Sequence, residues 1–365
     1  MKKLTALLLV LCLLLCGCGK SADVAEAPTE TPTEAPTETP TEASTEAPTE
    51  EPTEPPVLYR HPMTGEPLDE VFTTRPVVST VNNVPNALPQ HSISSADILY
   101  EIETEGNATR GLAFFTDLSQ VGPLGSIRSA RTYLSSIAAS YDAVLVHVGA
   151  SDYARNGQYD VYGNRFSGWQ HIDLGIKAQY SYRDQARLDA GYAWEHTLFS
   201  SGELLATAME EMGYETSKEE GYDFGLTFSE EPEFNGDSAS AITVTFQGGK
   251  TTTMTLNEAT GLYEASQYGE PWIDGGNDTV LSFRNVLVLK ADRSRPYGKN
   301  SFYEFFTTGE GYFACDGKIT KILWSRESVD APFSYTYEDG TPITLGVGKS
   351  YVAVLTTSCG DPAYD

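Results

Sequence analysis

Residues 92–151 read SISSADILYEIETEGNATRGLAFFTDLSQVGPLGSIRSARTYLSSIAASYDAVLVHVGAS. Three runs in this stretch have strand character, Ile98–Thr104, Leu112–Thr116 and Val144–Val148. Between the second and third lies the turn Gly122-Pro123-Leu124-Gly125, after which Ser126-Ile127-Arg128-Ser129-Ala130-Arg131 is expected to open a helix. From Ala130 the apolar residues fall at Leu134, Ile137, Ala138 and Tyr141, the 3.6-residue period of one buried helical face. Strands mixed with a helix predict an α/β or α+β domain built on a mixed sheet.

Two polar features of the stretch call for an explanation. Arg128 and Arg131 stand at i and i+3, which predicts neighbouring places on the first helical turn. That end of a helix already carries partial positive charge, so cations there need compensation. A bound anion held with the free backbone N–H groups is one solution. Pairing with Glu101, Glu103 or Glu105 of the same domain is the other. Alternation along the first strand puts Ile98, Tyr100 and Ile102 on one face and Leu99, Glu101 and Glu103 on the other. A face with two glutamates reads either as solvated or as the partner of the arginines.

Toward the N-terminus the chain changes character. Lys2 and Lys3 precede an apolar run from Leu4 to Leu15, interrupted by Thr5, which is short for a membrane span and has the layout of a secretory signal. Leu15-Cys16-Gly17-Cys18 resembles a bacterial lipoprotein box. The resemblance implies cleavage after residue 17, diacylglycerol on Cys18 and an extracytoplasmic, lipid-anchored protein. Residues 18–56 repeat Thr-Glu-Ala-Pro and Thr-Glu-Thr-Pro and hold almost nothing to bury. Proline and charge repulsion make such a segment an extended spacer, with a reach on the order of 100 Å at ~3.1 Å per residue. The whole chain of 365 residues carries a net charge of −27. Acidity of that size argues against nucleic acid and against electrostatic docking on anionic lipid.

The folded part opens near Tyr59 with a turn-rich lead-in and then Arg75-Pro76 before Val77–Val81. Taken together, RPVVSTVNN, ALPQHSISSADILYEIETEG, TRGLAFF, VGPLGSIRSARTY and YDAVLVHVGAS resemble the YerB-like family of bacterial lipoproteins. The resemblance runs from about His61 to Val354. It implies two domains of unknown function, N- and C-terminal, behind a lipid anchor, and it brings no reaction with it. Ala193-Trp194-Glu195-His196-Thr197-Leu198-Phe199 resembles a further family segment, with histidine at the His196 position.

From Asp152 to Thr197 aromatic residues (Tyr153, Tyr159, Tyr162, Trp169, Tyr180, Tyr182, Trp194) alternate with amides and charges. Such a mixture suits a loop-rich ligand face for sugars, or loops packed by their own rings. Ser200 with Glu203 reads as a capping box for a helix ending at Gly213. Past a boundary near 224–235 the period becomes two, at Ile242–Phe246, Thr251–Leu256, Val280–Phe283, Val286–Lys290, Phe302–Thr307 and Tyr351–Thr357. The organisation expected is a domain over 57–228 followed by a smaller β-rich domain over 229–365.

Catalytic signatures are lacking. The five histidines form no HxxxH or HExxH pair, Asp274-Gly275-Gly276-Asn277-Asp278 lacks calcium-loop spacing, and no metal or cofactor is expected. No GxSxG or SxxK is present, and Gly348-Lys349-Ser350 lacks the first glycine of a phosphate loop. Cys315 and Cys359, at strand ends of an exported protein, are expected to form a disulfide, two separate buried thiols being the alternative. The candidate ligand-binding residues are Arg110, Arg128, Arg131, Glu101, His147 and His196. The function expected is an envelope lipoprotein that binds an anionic ligand or cell-wall glycan or serves as a scaffold. The alternative is a hydrolase using Glu101 or Glu105 with His147 or His196.

Overall fold

Strand Ile98–Glu103 is buried at every residue, on both faces, and so is its neighbour Thr109–Phe115. A strand with two buried faces needs a layer on each side, and that requirement organises the fold. The computed structural model describes residues 59–151, 170–297, 300–303, 308–328 and 330–365. The signal, Cys18, the spacer, Tyr153, Tyr159, Tyr162 and Trp169 lie outside the described residues. Residues 56–365 form one compact unit.

Its centre is an eleven-stranded mixed sheet. The strands used below are β1 (Val77–Asn83), β2 (Ile98–Glu103), β3 (Thr109–Phe115), β4 (Val144–His147) and β5 (His171–Asp173). The second half of the chain adds β6 (Asn285–Ala291), β7 (Gly309–Cys315), β8 (Lys318–Ser325) and β9 (Ser350–Thr356). Across the sheet the order is β8-β7-β6-β9-β2-β3-β1-β4-β5. Strands β9 and β2 run parallel with Tyr351 opposite Leu99, so residues on either side of 228/229 share one sheet. Strands β1 and β4 are also parallel, with Val78 opposite Leu145.

One face of this sheet is covered by helix α1 (Thr132–Ala139), whose Leu134, Ile137 and Ala138 pack on Val78, Tyr100, Ile102, Leu112 and Leu145. That is the apolar stripe expected from the 3.6-residue period. The other face packs on a six-stranded antiparallel sheet that includes Ala241–Thr245, Thr251–Asn257 and Leu262–Gln267. Ile242, Val244, Met254 and Tyr263 from it meet Val81, Leu99 and Ala113. Helix α2 (Gly202–Glu211) closes the same layer through Leu205, Ala208 and Met209.

The structure corrects four expectations. The second sheet buries the Leu99, Glu101 and Glu103 face, so neither glutamate is solvated. The helix after Gly125 starts at Thr132, six residues later than Ser126, because residues 126–131 stay extended. Backbone hydrogen bonds to the middle of β1 and to the chain just past β4 hold them there: Arg128 N–H donates to Thr80 O at 3.1 Å, and Ala130 N–H to Gly149 O at 3.0 Å. Ser201, not Ser200, caps α2 through the Leu204 N–H at 3.2 Å. A Cβ on Gly202 would sit 1.9 Å from Leu118 O, so glycine is required at the first helical position, where the chain passes that carbonyl. Finally, Cys315 and Cys359 are free thiols rather than a disulfide.

Candidate anion site at the extended arginine segment

Segment 126–131 crosses the carboxyl ends of β1 and β4, linked to Thr80 on one side and to Val148 and Gly149 on the other. In open α/β sheets this end of parallel strands is where crevices form. The α1 face of the sheet contributes Asn82 and Arg110, which stand opposite each other on β1 and β3, and His147 at the end of β4. Arg128 and Arg131 come from the segment itself, with Arg131 as the residue that precedes the first turn of α1.

Arg110 is the unusual member. It is 7% exposed, and its Nη1 donates to Ser129 O. Among the described residues no carboxylate is ion-paired with it. A buried guanidinium without a directly paired anion carries a desolvation cost, which the fields of Tyr133 and Glu105 offset only in part. Burial, and then the neighbouring Arg131, pull its pKa from 12.5 to about 9, which leaves it charged at neutral pH. Arg128 is lowered as well, by burial and by Arg131, and its Nη1 donates to Glu195 O at 3.1 Å. Arg131 does have a carboxylate: its Nη2 donates to Glu105 Oε2 at 2.7 Å and its Nε reaches the same group at 3.0 Å. The three cations are thus within one another's field, and of the three it is Arg131 that is ion-paired to a carboxylate among the described residues.

Hydroxyl groups around the segment point the same way. Ser126, Thr132 and Ser151 are buried, and their oxygens have no hydrogen-bond partner among the described residues. Buried polar atoms are seldom left unpaired, so these three hydroxyls are free to hydrogen-bond a further group. Helix α1 carries no side-chain cap at its first turn.

Both candidate histidines belong here. His196 Nδ1 accepts from Asn82 Nδ2 at 2.9 Å. Burial first, and Arg128 next, lower its pKa, so at neutral pH the ring is uncharged with its proton on Nε2. His147 donates from Nδ1 to Gly149 O at 2.8 Å, which makes its Nε2 the acceptor for His171 Nδ1 at 2.9 Å. His171, lowered by burial, was not foreseen. Its signal in the sequence was only a histidine beginning a short β-run, His171–Asp173.

Glu101 is the candidate that the fold takes away. It points to the opposite face of β2 and is fully buried. Its Oε1 accepts from Lys250, from Asn83 at 2.8 Å and from Thr109 at 2.6 Å. Its Oε2 accepts from Thr252 and from Tyr351, both at 2.8 Å. Although burial alone would raise its pKa, Lys250 and these donors hold it below the ordinary value. Glu103 is paired with Arg293. Neither glutamate is available to Arg128 or Arg131, and neither faces the histidines. Lys250 and Arg293 were missed because each reaches its glutamate from the second half of the chain.

The comparisons bear on this arrangement. Residues 63–215 match the N-terminal domain of a family described as a protein of unknown function (DUF3048), and residues 242–352 match its C-terminal domain. A curated relative, "Putative lipoprotein YerB" of Bacillus subtilis strain 168, is 30% identical over 166 residues, 43% of this chain and 45% of that protein. The match therefore spans about half the length of the curated relative. The crystal structure of the YerB protein from Bacillus subtilis aligns with a TM-score of 0.68 over 81% of this chain and 96% of that one, at 22% identity, a likeness of fold. All five residues gathered at the segment fall inside the N-terminal match.

Proposed function

The chain belongs to the DUF3048 family in both its N- and C-terminal domains, and from that premise we propose that it is a lipid-anchored envelope protein that binds an anionic ligand at Arg110, Arg128 and Arg131. The observation that carries the reading is Arg110, a buried guanidinium that among the described residues has a backbone acceptor, Ser129 O, and no ion-paired carboxylate. An anion would supply the missing charge and accept from the unpaired hydroxyls as well. The anchor part of the reading rests on Leu15-Cys16-Gly17-Cys18 and on the name that the curated relative bears. On a chain of net charge −27 a local cationic cluster is also selective, because the rest of the surface repels anions. A hydrolase reading has less to stand on: Glu101 lies on the wrong face, and both oxygens of Glu105 accept from Arg131.

Titrating inorganic phosphate into the mature chain by calorimetry tests the reading. Binding should weaken with added salt, less steeply than at a fully exposed site because Arg110 is buried. Arg110→Met should lower the affinity by about 10- to 100-fold, the size of a lost charge-assisted hydrogen bond. Wild-type binding by Arg110→Met, with the fold intact, would remove the site from consideration.

A further inference from the structure

Trp194 presents an indole that is 62% exposed, one residue before the carbonyl that holds Arg128. It opens the short turn Trp194–His196, whose other two residues already belong to the site. Glu195 O accepts from Arg128, and the His196 ring is bound to Asn82. With consecutive Cα atoms ~3.8 Å apart, the Trp194 backbone is one residue from the carbonyl that holds Arg128. The ring is also fixed in place. Arg183 lies over it at 4.1 Å from the centroid and donates from Nη1 to Trp194 O at 2.7 Å. That guanidinium covers one face, so the exposed area belongs to the opposite face and the edges. Tyr182, 38% exposed, stands beside Arg183 on the same short strand and packs on Phe199.

An indole held rigid in water gives up burial worth roughly 1.5–3 kcal/mol for a large apolar side chain. Its use is the stacking of a flat apolar surface, and a pyranose has one on the face that carries its C–H bonds. We propose that the ligand is an anionic sugar, its ring stacked on Trp194 and its phosphate or carboxylate turned toward Arg128 and Arg110. This rests on the anion reading of the arginine cluster. A neutral sugar leaves the cations uncompensated, and a bare anion leaves the indole uncovered. Both halves are needed for tight binding.

The test compares probes on the mature chain by calorimetry: inorganic phosphate, acetate, N-acetylglucosamine, N-acetylglucosamine 1-phosphate, glucuronic acid and adenosine monophosphate. One of the two acidic sugars should bind about tenfold more tightly than its bare anion, the effect of roughly 1.4 kcal/mol of stacking. Trp194→Ala should erase that gain while phosphate affinity stays within about twofold, and Trp194→Phe should keep most of it. Phosphate-bearing and carboxylate-bearing ligands are told apart by which acidic sugar shows the gain. A gain that is absent, or that survives Trp194→Ala, overturns the sugar assignment and leaves the anion site standing. Equal or tighter binding of the nucleotide overturns it in favour of a nucleobase. No binding of phosphate at all would remove the arginine reading, and this inference with it.

Discussion

Lys250 Nζ and Glu101 Oε1 are ion-paired in the space between the two sheets, 149 residues apart in sequence and both cut off from solvent. Three rings surround the ammonium, Phe246, Tyr268 and Trp272, with the nearest centroid at 5.1 Å. The pair joins β2 to the Thr251–Asn257 sheet through Thr252, which donates to the same carboxylate. Removing one member strands the other. Lys250→Met should destabilise the fold by about 3–5 kcal/mol in urea unfolding. The double change Lys250→Met with Glu101→Leu should recover part of that loss. If Lys250→Met melted like the wild type, the pair would carry no weight in the fold.

The same carboxylate sets an acid limb to stability. Its folded pKa is depressed below the ordinary 4.5 by Lys250 and the hydroxyl donors, against the pull of burial. The unfolded chain therefore binds the proton more readily than the folded one. The contribution is complete above about pH 4.5 and is lost as pH falls through the folded value. Unfolding free energy of the wild type should fall more steeply below about pH 4.5 than that of Glu101→Gln. Parallel curves would mean that Glu101 does not titrate with folding.

Cys315 and Cys359 should behave as two unequal free thiols. Burial, with Asp316 adding to it, pushes the Cys315 thiol up to about 12. Cys359 is half-buried and also raised by burial, to a lesser degree of enclosure. The thiolate is the reactive form, so at neutral pH alkylation should reach Cys359 slowly and Cys315 only after unfolding. Peptide mapping after a timed iodoacetamide pulse reads the ratio. Recovery of a peptide joining the two cysteines under non-reducing conditions would contradict the structure.

What could be read from the sequence was what neighbours along the chain decide. The strand runs at Ile98, Leu112 and Val144 and the stripe Leu134-Ile137-Ala138 depend on local period, and they hold to within a few residues. Partners brought from afar were not legible. Glu101 read as solvated or as a partner of the arginines because Lys250, Thr252 and Tyr351 are at least 149 residues away. Residues 126–131 looked helical because their hydrogen bonds to Thr80 and Gly149 leave no mark on their own pattern. Gathering Arg110 with Arg128 and Arg131 required the β1–β3 register, which sets Arg110 opposite Asn82.

The anchor gives a separate prediction, from the sequence of the leader. Gly17 supplies the small residue before Cys18, whereas the leader's other nearby cysteine, Cys16, follows the large Leu15. Cys18→Ala should block maturation or release the protein to the medium, as followed by cell fractionation and by the mass of the N-terminal peptide. Normal processing with full retention on membranes would exclude Cys18 as the lipidated residue.

Arg110 and Arg131 should separate in experiment, because the fold treats them differently. Arg131 is locked to Glu105 through two of its nitrogens, with side chains 15% and 19% exposed. Arg131→Ala removes this ion pair from the Glu105 carboxylate, and should lower stability by about 1–3 kcal/mol. Arg110 is ion-paired to no carboxylate among the described residues, Glu105 acting on it only through its field, and its burial is itself unfavourable. Arg110→Met, similar in length and apolar, should therefore leave the urea midpoint unchanged or raise it slightly. Phosphate affinity should show the reverse order, with Arg110→Met the more damaging of the two. Urea melts and phosphate titrations on the same two variants give four numbers that must cross in this way. Should Arg110→Met unfold the protein while Arg131→Ala leaves it stable, Arg110 would be a structural strut, and the anion site would lose its central residue.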